Sequence, residues 1–302
     1  MPERSALPTQ LLNGPFTVAE AAALGVGPDV LRGARFRSLA HGVHVRVDHE
    51  DGLVLRCQAL ALVLPPDAVF SHLTAARLCH LPVPGRCGPL GWPADEPLEV
   101  TCSQRAARHD GVHGHVGQVT THVRRIEHGL RVTSGAKTWA DLAPRLGLDD
   151  LVVLGDAALR HGWADLVELT DMAARPGRRG SRRMRAAIPL LEPRTDSPME
   201  TRLRLLLVRA GLPRPQAGRD VVVDGEWLAR PDLSYPSLRI AIEFDGDHHR
   251  TSRAQWQRDI GRRRMLEDAG WLLIVLTADD LFRHPELTVA RVRRAVVART
   301  PH

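Results

Sequence analysis

The sequence predicts a modular α/β (α+β) chain of three regions, and three observations carry that prediction. Residues 191–302 run in the order helix, three strands, helix, strand, helix. Residues 1–52 run helix, turn, helix, hairpin, and 302 residues at 43% hydrophobic content are enough for two or three cores. The stretch between them, 53–190, mixes helical and strand signals with no internal repeat.

In the first region, Phe16 to Leu24 reads as a helix capped by Thr17 and stopped by Gly25. Pro28 to Ala34 reads as a second helix, and Phe36 to Val47 as a hairpin through Gly42. Helix, turn, helix and wing is a DNA-binding arrangement as well as a plain packing unit. In the DNA-binding case Arg32, Arg35 and Arg37 are available to phosphates. In the second region Ser71 opens a helix ending near His80. Leu98–Cys102 and Val119–Arg125 are strand candidates around a loop from Gly111 to His115, and Ser134 opens a helix toward Ala143. His113 and His115 read as solvated loop residues rather than a metal site, and Lys137 as a solvated helix lysine rather than a phosphate contact. Cys57, Cys79, Cys87 and Cys102 lack CxxC spacing and read as reduced core cysteines, with Cys79-His80 and Cys87 the weaker zinc alternative. Arg175 to Arg185 is either a nucleic-acid contact strip or a solvated linker helix.

The third region opens on Ser197-Pro198-Met199-Glu200, an N-cap serine, a proline at the first helical position and a glutamate three residues after the cap. Leu203, Leu206, Leu207 and Ala210 follow at helical spacing, and Gly211 ends the helix. Asp224-Gly225, between Val221-Val222-Val223 and Trp227-Leu228-Ala229, is a hairpin signal. Tyr235-Pro236-Ser237 marks a second turn, so three strands form an antiparallel meander. Ile240, Ile242 and Phe244 alternate with Ala241, Glu243 and Asp245, the period of a strand with one buried face. Ser252 opens a helix carrying Trp256, Ile260 and Leu266 that stops at Gly270; a buried strand covers 271–276, and a last helix starts near Pro285.

Chemistry concentrates between Arg230 and His249, where Asp232, Glu243, Asp245, Asp247, His248 and His249 share one β-rich segment. Folding back at Pro236 brings Asp232 beside Glu243 and the Phe244 carbonyl. Oxygen ligands of that kind suit magnesium or manganese rather than zinc. Asp245 reads as a third acid of the site or as a solvated or turn residue, Asp247 as a solvated or turn residue, and Glu200 as a capping-box residue. His249 reads as a general base or water-orienting group rather than a zinc ligand.

Pro231-Asp232, Glu243-Phe244-Asp245-Gly246 and His249, in this order of elements, resemble the PD-(D/E)xK restriction-endonuclease-like fold with its αβββαβα core. Within it, residues 197 to 298 look most like the very short patch repair endonuclease and a bacterial domain-of-unknown-function family related to it. The resemblance implies that Asp232 and Glu243 hold magnesium or manganese with the Phe244 carbonyl. It also implies that His249 assists the attacking water and that Glu200 is an additional acid. The motif lysine belongs two residues after Glu243, where this chain has Asp245; its sole lysine is Lys137. Arginine is a poor substitute because its guanidinium stays charged. The very short patch repair enzymes also do without this lysine, and a metal-bound hydroxide with His249 as base avoids the need for it. Arg258 or Arg262 would stabilise charge on the scissile phosphate.

Gly14-Pro15-Phe16-Thr17, Ala22, Gly25 and Gly42-Val43-His44 are similar to the winged-helix segment of AbiEi-type antitoxins, as Arg131 to Ala143 is to that family's middle region. That likeness implies transcriptional autoregulation, with a toxin or another protein as partner. The expected regions are therefore a winged-helix-like segment (1–52), a mixed region with a basic linker (53–190) and a nuclease-like domain (191–302). A net charge of +6 and a pI near 10.0 favour an anionic partner, of which DNA is the simplest. No apolar run approaches the roughly 18 residues of a membrane span, and Met1 to Pro15 lacks a signal-peptide pattern. The expectation is a cytoplasmic, magnesium- or manganese-dependent DNA phosphodiester hydrolase targeted by its N-terminus. The alternative is a non-catalytic DNA-binding regulator of toxin–antitoxin type built on a degenerate nuclease fold.

Overall fold

Short helices depend on their caps, and the first one is closed at both donors. Thr17 Oγ1 accepts the Glu20 N–H at 3.1 Å while Glu20 Oε2 accepts the Thr17 N–H at 2.7 Å. The computed structural model describes residues 7–83, 96–119, 121–245, 261 and 263–301 of a mixed α/β chain. Two units divide it, Met1–Pro144 and Arg145–His302. The expected region boundaries after residues 52 and 190 fall inside these units. Among the described residues no helix is long and apolar enough to cross a membrane.

In the first unit β1 (Phe16–Thr17) leads into α1 (Val18–Ala23), and Gly25, at φ +76°, turns the chain toward α2 (Pro28–Leu31). α2 is a single turn, shorter than the sequence suggested. β2 (Phe36–Ala40) and β3 (Val43–Arg46) form the hairpin, and the small sheet runs β1-β3-β2. Leu11, Phe16, Ala21, Val26, Leu31 and Phe36 pack into one core, with Phe16 and Phe36 edge to face at 5.5 Å.

The chain continues through α3 (Leu53–Ala61), β4 (Val69–Phe70), α4 (His72–Leu78), β5 (Leu98–Cys102), β6 (Val112–Val116), β7 (Val123–Arg125), β8 (Arg131–Thr133) and α5 (Gly135–Leu142). The sheet order is β6-β5-β4-β8-β7, parallel at β5–β6 and β4–β8 and antiparallel elsewhere. β5 is buried at every position, so both of its faces are covered. Residues 112–116, expected as a loop, are a strand. Gly114 makes this possible, because a Cβ there would lie 2.3 Å from the Ala107 carbonyl oxygen that crosses against β6. Cys57, Cys79 and Cys102 are buried free thiols; Cys87 lies outside the described residues.

The second unit begins with α6 (Leu148–Arg160), α7 (Leu166–Ala174), α8 (Ser181–Ala187) and α9 (Pro198–Arg209). β9 (Gln216–Ala217), β10 (Val221–Val223), β11 (Glu226–Ala229), β12 (Leu233–Tyr235) and β13 (Ile240–Asp245) follow. Helical backbone covers 263–268, then β14 (Leu272–Thr277), α10 (Ala278–Phe282) and α11 (Pro285–Arg299) complete the unit. The main sheet runs β14-β13-β12-β9, with β13 and β14 parallel. β10 and β11 pair through Asp224 and Gly225, both at positive φ as a tight hairpin turn requires.

Two expectations about these strands are corrected. The hairpin is a sheet of its own rather than the first part of a meander. β13 is also not one-sided. Ile240 and Ile242 pack with Leu203, Leu207 and Val292 on one face, while Ala241 packs with Val221, Ala229, Leu266 and Trp271 on the other. A parallel neighbour and cover on both sides bury what alternation alone assigns to solvent.

α9 is fixed to α6 by a buried charge. Asp156 accepts from the Glu192 N–H at 2.6 Å, Thr201 Oγ1 at 2.9 Å and Arg204 at 2.8 Å. Arg204 is fully buried. Burial pushes the Asp156 carboxyl up and the Arg204 guanidinium down, and each opposes that shift in the other. Ion pairs Arg202–Asp150 and Arg209–Asp149 flank the same helix pair. Asp156→Ala should therefore destabilise the second unit by about 3–5 kcal/mol, because it leaves a buried guanidinium uncompensated. Equilibrium denaturation of the full chain measures this, and a loss under about 1 kcal/mol, typical of exposed pairs, would reject the assignment.

Candidate functional site

Antiparallel pairing sets Leu233 of β12 against Ile242 of β13. Asp232, one residue before β12, therefore falls beside Glu243 and Phe244. Its Oδ2 accepts the Phe244 N–H at 2.7 Å. Glu243 Oε1 is shielded from solvent. Asp245 ends β13, half-buried and in register with Thr277.

The third acid comes from α9. Ser197 Oγ accepts the Glu200 N–H at 3.2 Å, and Glu200 Oε2 accepts the Asp196 N–H at 2.6 Å. The serine cap is thus made, while the carboxylate reaches back to Asp196, one residue before the cap, rather than to the Ser197 N–H of a capping box. The side chain is buried, and burial followed by the charge of Asp232 pushes its carboxyl up to about 7. The ligand atoms of Glu200, Asp232 and Glu243 do not gather into one tight triad. Among the described residues, the group of three that does so lies in the first unit. His249, Arg258 and Arg262, together with Asp247 and His248, lie outside the described residues.

That group is His72, Glu99 and His115, with one ligand atom from each within 4.8 Å of the others. It can hold a metal ion. His72 is the first residue of α4, Glu99 lies on β5 and His115 on β6. In the parallel register Glu99 pairs with His113 and Thr101 with His115, so these side chains share one face. The imidazoles of His72 and His115 stack at 3.8 Å and those of His113 and His115 at 4.6 Å. His115 Nε2 lies 3.3 Å from Glu99 Oε1, and Glu99 Oε2 accepts the Leu73 N–H at 2.8 Å. Burial pushes the His72 imidazole down to about 4, opposed by Asp141 and Glu99 and reinforced by His115 and Lys137. Lys137 is buried rather than solvated and places Nζ 2.6 Å from both Asp141 oxygens.

Sequence reading missed this group because it set His113 and His115 in a solvated loop. The signal present was the spacing His113-x-His115, which on a strand puts both rings on one side. The N-terminal arginines stand differently from one another. Arg32 pairs with Asp29, Arg37 donates to the His49 carbonyl at 3.2 Å and lies 3.9 Å from Asp51, and Arg35 is exposed.

No family model matches the chain, and no solved structure matches it. Two uncharacterized proteins, from two strains of Mycobacterium tuberculosis, are each 30% identical over 184 residues. The match spans 61% of this chain and 66% of each relative, just under two thirds of the relatives' length.

Glu200 gives the second unit a pH signature. Its folded value of about 7 lies above the ordinary 4.5, so the fold favours the neutral acid. The stability it contributes is complete below pH 4.5 and is lost as pH rises through 7. In metal-free buffer the full chain should melt at higher temperature at pH 6 than at pH 8, and Glu200→Gln should flatten that difference. Equal pH dependence in parent and variant would contradict the assignment.

Proposed function

We propose that the second unit is a metal-dependent DNA phosphodiester hydrolase of the restriction-endonuclease-like type. The observation that supports the reading is the β12–β13 register that sets Asp232 beside Glu243, with Glu200 of α9 near enough to feel the Asp232 charge. Burial and then the charge of Asp232 raise the Glu200 carboxyl to about 7, and the second of these is like-charge repulsion that a divalent cation would offset. The donor set fits magnesium or manganese on that ground.

Asp232 and Glu243 would hold the ion, with the Phe244 backbone beside them. When bound, such an ion supplies Lewis-acid stabilisation of the phosphoryl oxygens and a more acidic water. Glu200 exchanges a proton in the neutral range, which suits a group that must take one from the attacking water. His249 is the alternative proton acceptor, Asp245 stands where the motif lysine would be, and Arg258 or Arg262 would neutralise charge on the phosphate. Arg32, Arg35 and Arg37 of the N-terminal segment would contact the DNA backbone.

A second reading, a non-catalytic DNA-binding regulator with a toxin or other protein partner, is favoured by one observation. One oxygen each of Asp232 and Glu200 accepts a backbone N–H, and among the described residues these acids are not gathered as tightly as His72, Glu99 and His115.

The hydrolase reading expects the purified chain to nick plasmid DNA with magnesium or manganese. Asp232→Ala and Glu243→Ala should each reduce the rate by at least about 100-fold, the size of effect attached to general acid–base and charge-stabilising groups. Protein that retards DNA in a gel yet cuts nothing with either metal would sink it. For the regulator reading, truncation before Leu53 should abolish binding to the chain's own promoter fragment; unchanged affinity would reject that role for the segment.

A further inference from the structure

We propose that His72, Glu99 and His115 form a binding site for one divalent transition-metal ion, held by two imidazole nitrogens and one carboxylate. It stands independently of the hydrolase reading, because all three ligands belong to the first unit.

Three arguments support it. First, the ligand atoms come from residues 72, 99 and 115 on three different elements and still converge within 4.8 Å.

Second, two of the three ligands are oriented from behind, as metal ligands are. His72 Nδ1 lies 2.9 Å from Ser71 Oγ, and Ser71 Oγ accepts from Thr101 Oγ1 at 2.8 Å. With Nδ1 held there, Nε2 is the atom His72 presents. Glu99 has Oε2 fixed by the Leu73 N–H, while its backbone N–H donates to Thr74 Oγ1 at 2.8 Å, which leaves Oε1 facing His115 Nε2.

Third, the backbone is constrained around the group. His72 has φ +50°, a left-handed conformation that a non-glycine residue adopts only under strain. Gly114 lets β6 close against Ala107 next to His115.

The ligand chemistry selects the ion. Two nitrogens and one carboxylate suit zinc, iron, cobalt or manganese, whereas magnesium and calcium take oxygen shells. Three protein ligands leave coordination positions for water or a substrate atom, the pattern of a reactive rather than a purely structural site. His113, exposed and stacked on His115, stands on the solvent side of the group.

The test uses the full chain, stripped by chelator and dialysed against zinc(II) or cobalt(II). One ion per chain should bind, and cobalt should give visible d–d absorption from nitrogen and oxygen ligands. Loss of an outer-shell partner alone costs about 10–100-fold in affinity, so His72→Asn and His115→Ala should each weaken binding by more than about 100-fold. His113→Ala should stay within about threefold of the parent, which separates this site from surface histidines. Asn is chosen at position 72 because it tolerates the left-handed region. If that variant loses its cooperative melt, His115→Ala, at a position 24% exposed, carries the decision. A folded parent that binds neither ion at 100 µM, which is far above the level expected, overturns the proposal. So does undiminished binding in His115→Ala.

Discussion

The buried Asp156–Arg204 pair is the contact on which the second unit's geometry depends. α9 carries Glu200 at its first turn and Arg204 one turn later, so whatever fixes Arg204 fixes the acid. Asp156 does this from α6, and it also holds the 192–195 segment through the Glu192 N–H and Thr195 Oγ1. That segment leads directly into the Ser197 cap. A charge removed from water at this depth costs several kcal/mol before it is compensated. The compensation is available in only one placement of α9. One helix is thereby locked in register against another, and a carboxylate at its end is aimed toward β12 and β13.

From that anchor the sheet follows by cover. α9 and α11 bury Ile240, Ile242 and Ile274 on one face, while Leu266, Trp271 and the β10–β11 hairpin bury Ala241 on the other. Glu243 and Asp245 stand where β13 leaves this double cover, and the strand changes from buried to half-buried between Ile242 and Glu243. The acids thus lie at the edge of an apolar interior, where water is scarce enough to raise Glu200 but a polar ligand could still enter.

Local signals were legible in the sequence, and long-range ones were not. The Thr17 and Ser197 caps, the Asp224-Gly225 turn, the Ser134 helix start and the helix from Pro285 depend on residues within four positions of one another. They could be read without knowing what packs where. β13 was misread as one-sided because its second cover comes from Val221, Ala229, Leu266 and Trp271, which alternation cannot see. Asp232 beside Glu243 was legible because a turn at Pro236 fixes the register over a few residues. His72, Glu99 and His115 were not, since their meeting requires the parallel β5–β6 pairing and the crossing of Ala107 against Gly114. Lys137 was misread for the same reason: its helix is buried nearly all round.

Four buried or half-buried carboxylates show how this chain tolerates charge in its interior, and the differences separate structural from chemical positions. Asp156 receives a guanidinium, two hydroxyls and an amide, which completes its shell and leaves nothing for a ligand. Asp141 receives the ammonium of the chain's sole lysine on both oxygens. Glu99 receives one amide on Oε2 and an imidazole on Oε1, and an imidazole is a partner that can turn from hydrogen bond to metal ligand without a change of charge. Glu200 receives an amide, and burial followed by the charge of Asp232 raises its carboxyl to about 7. A fixed cation makes a carboxylate structural. A soft or repelling neighbour leaves it responsive to a metal or a proton, which is what distinguishes Glu99 and Glu200 from Asp156 and Asp141.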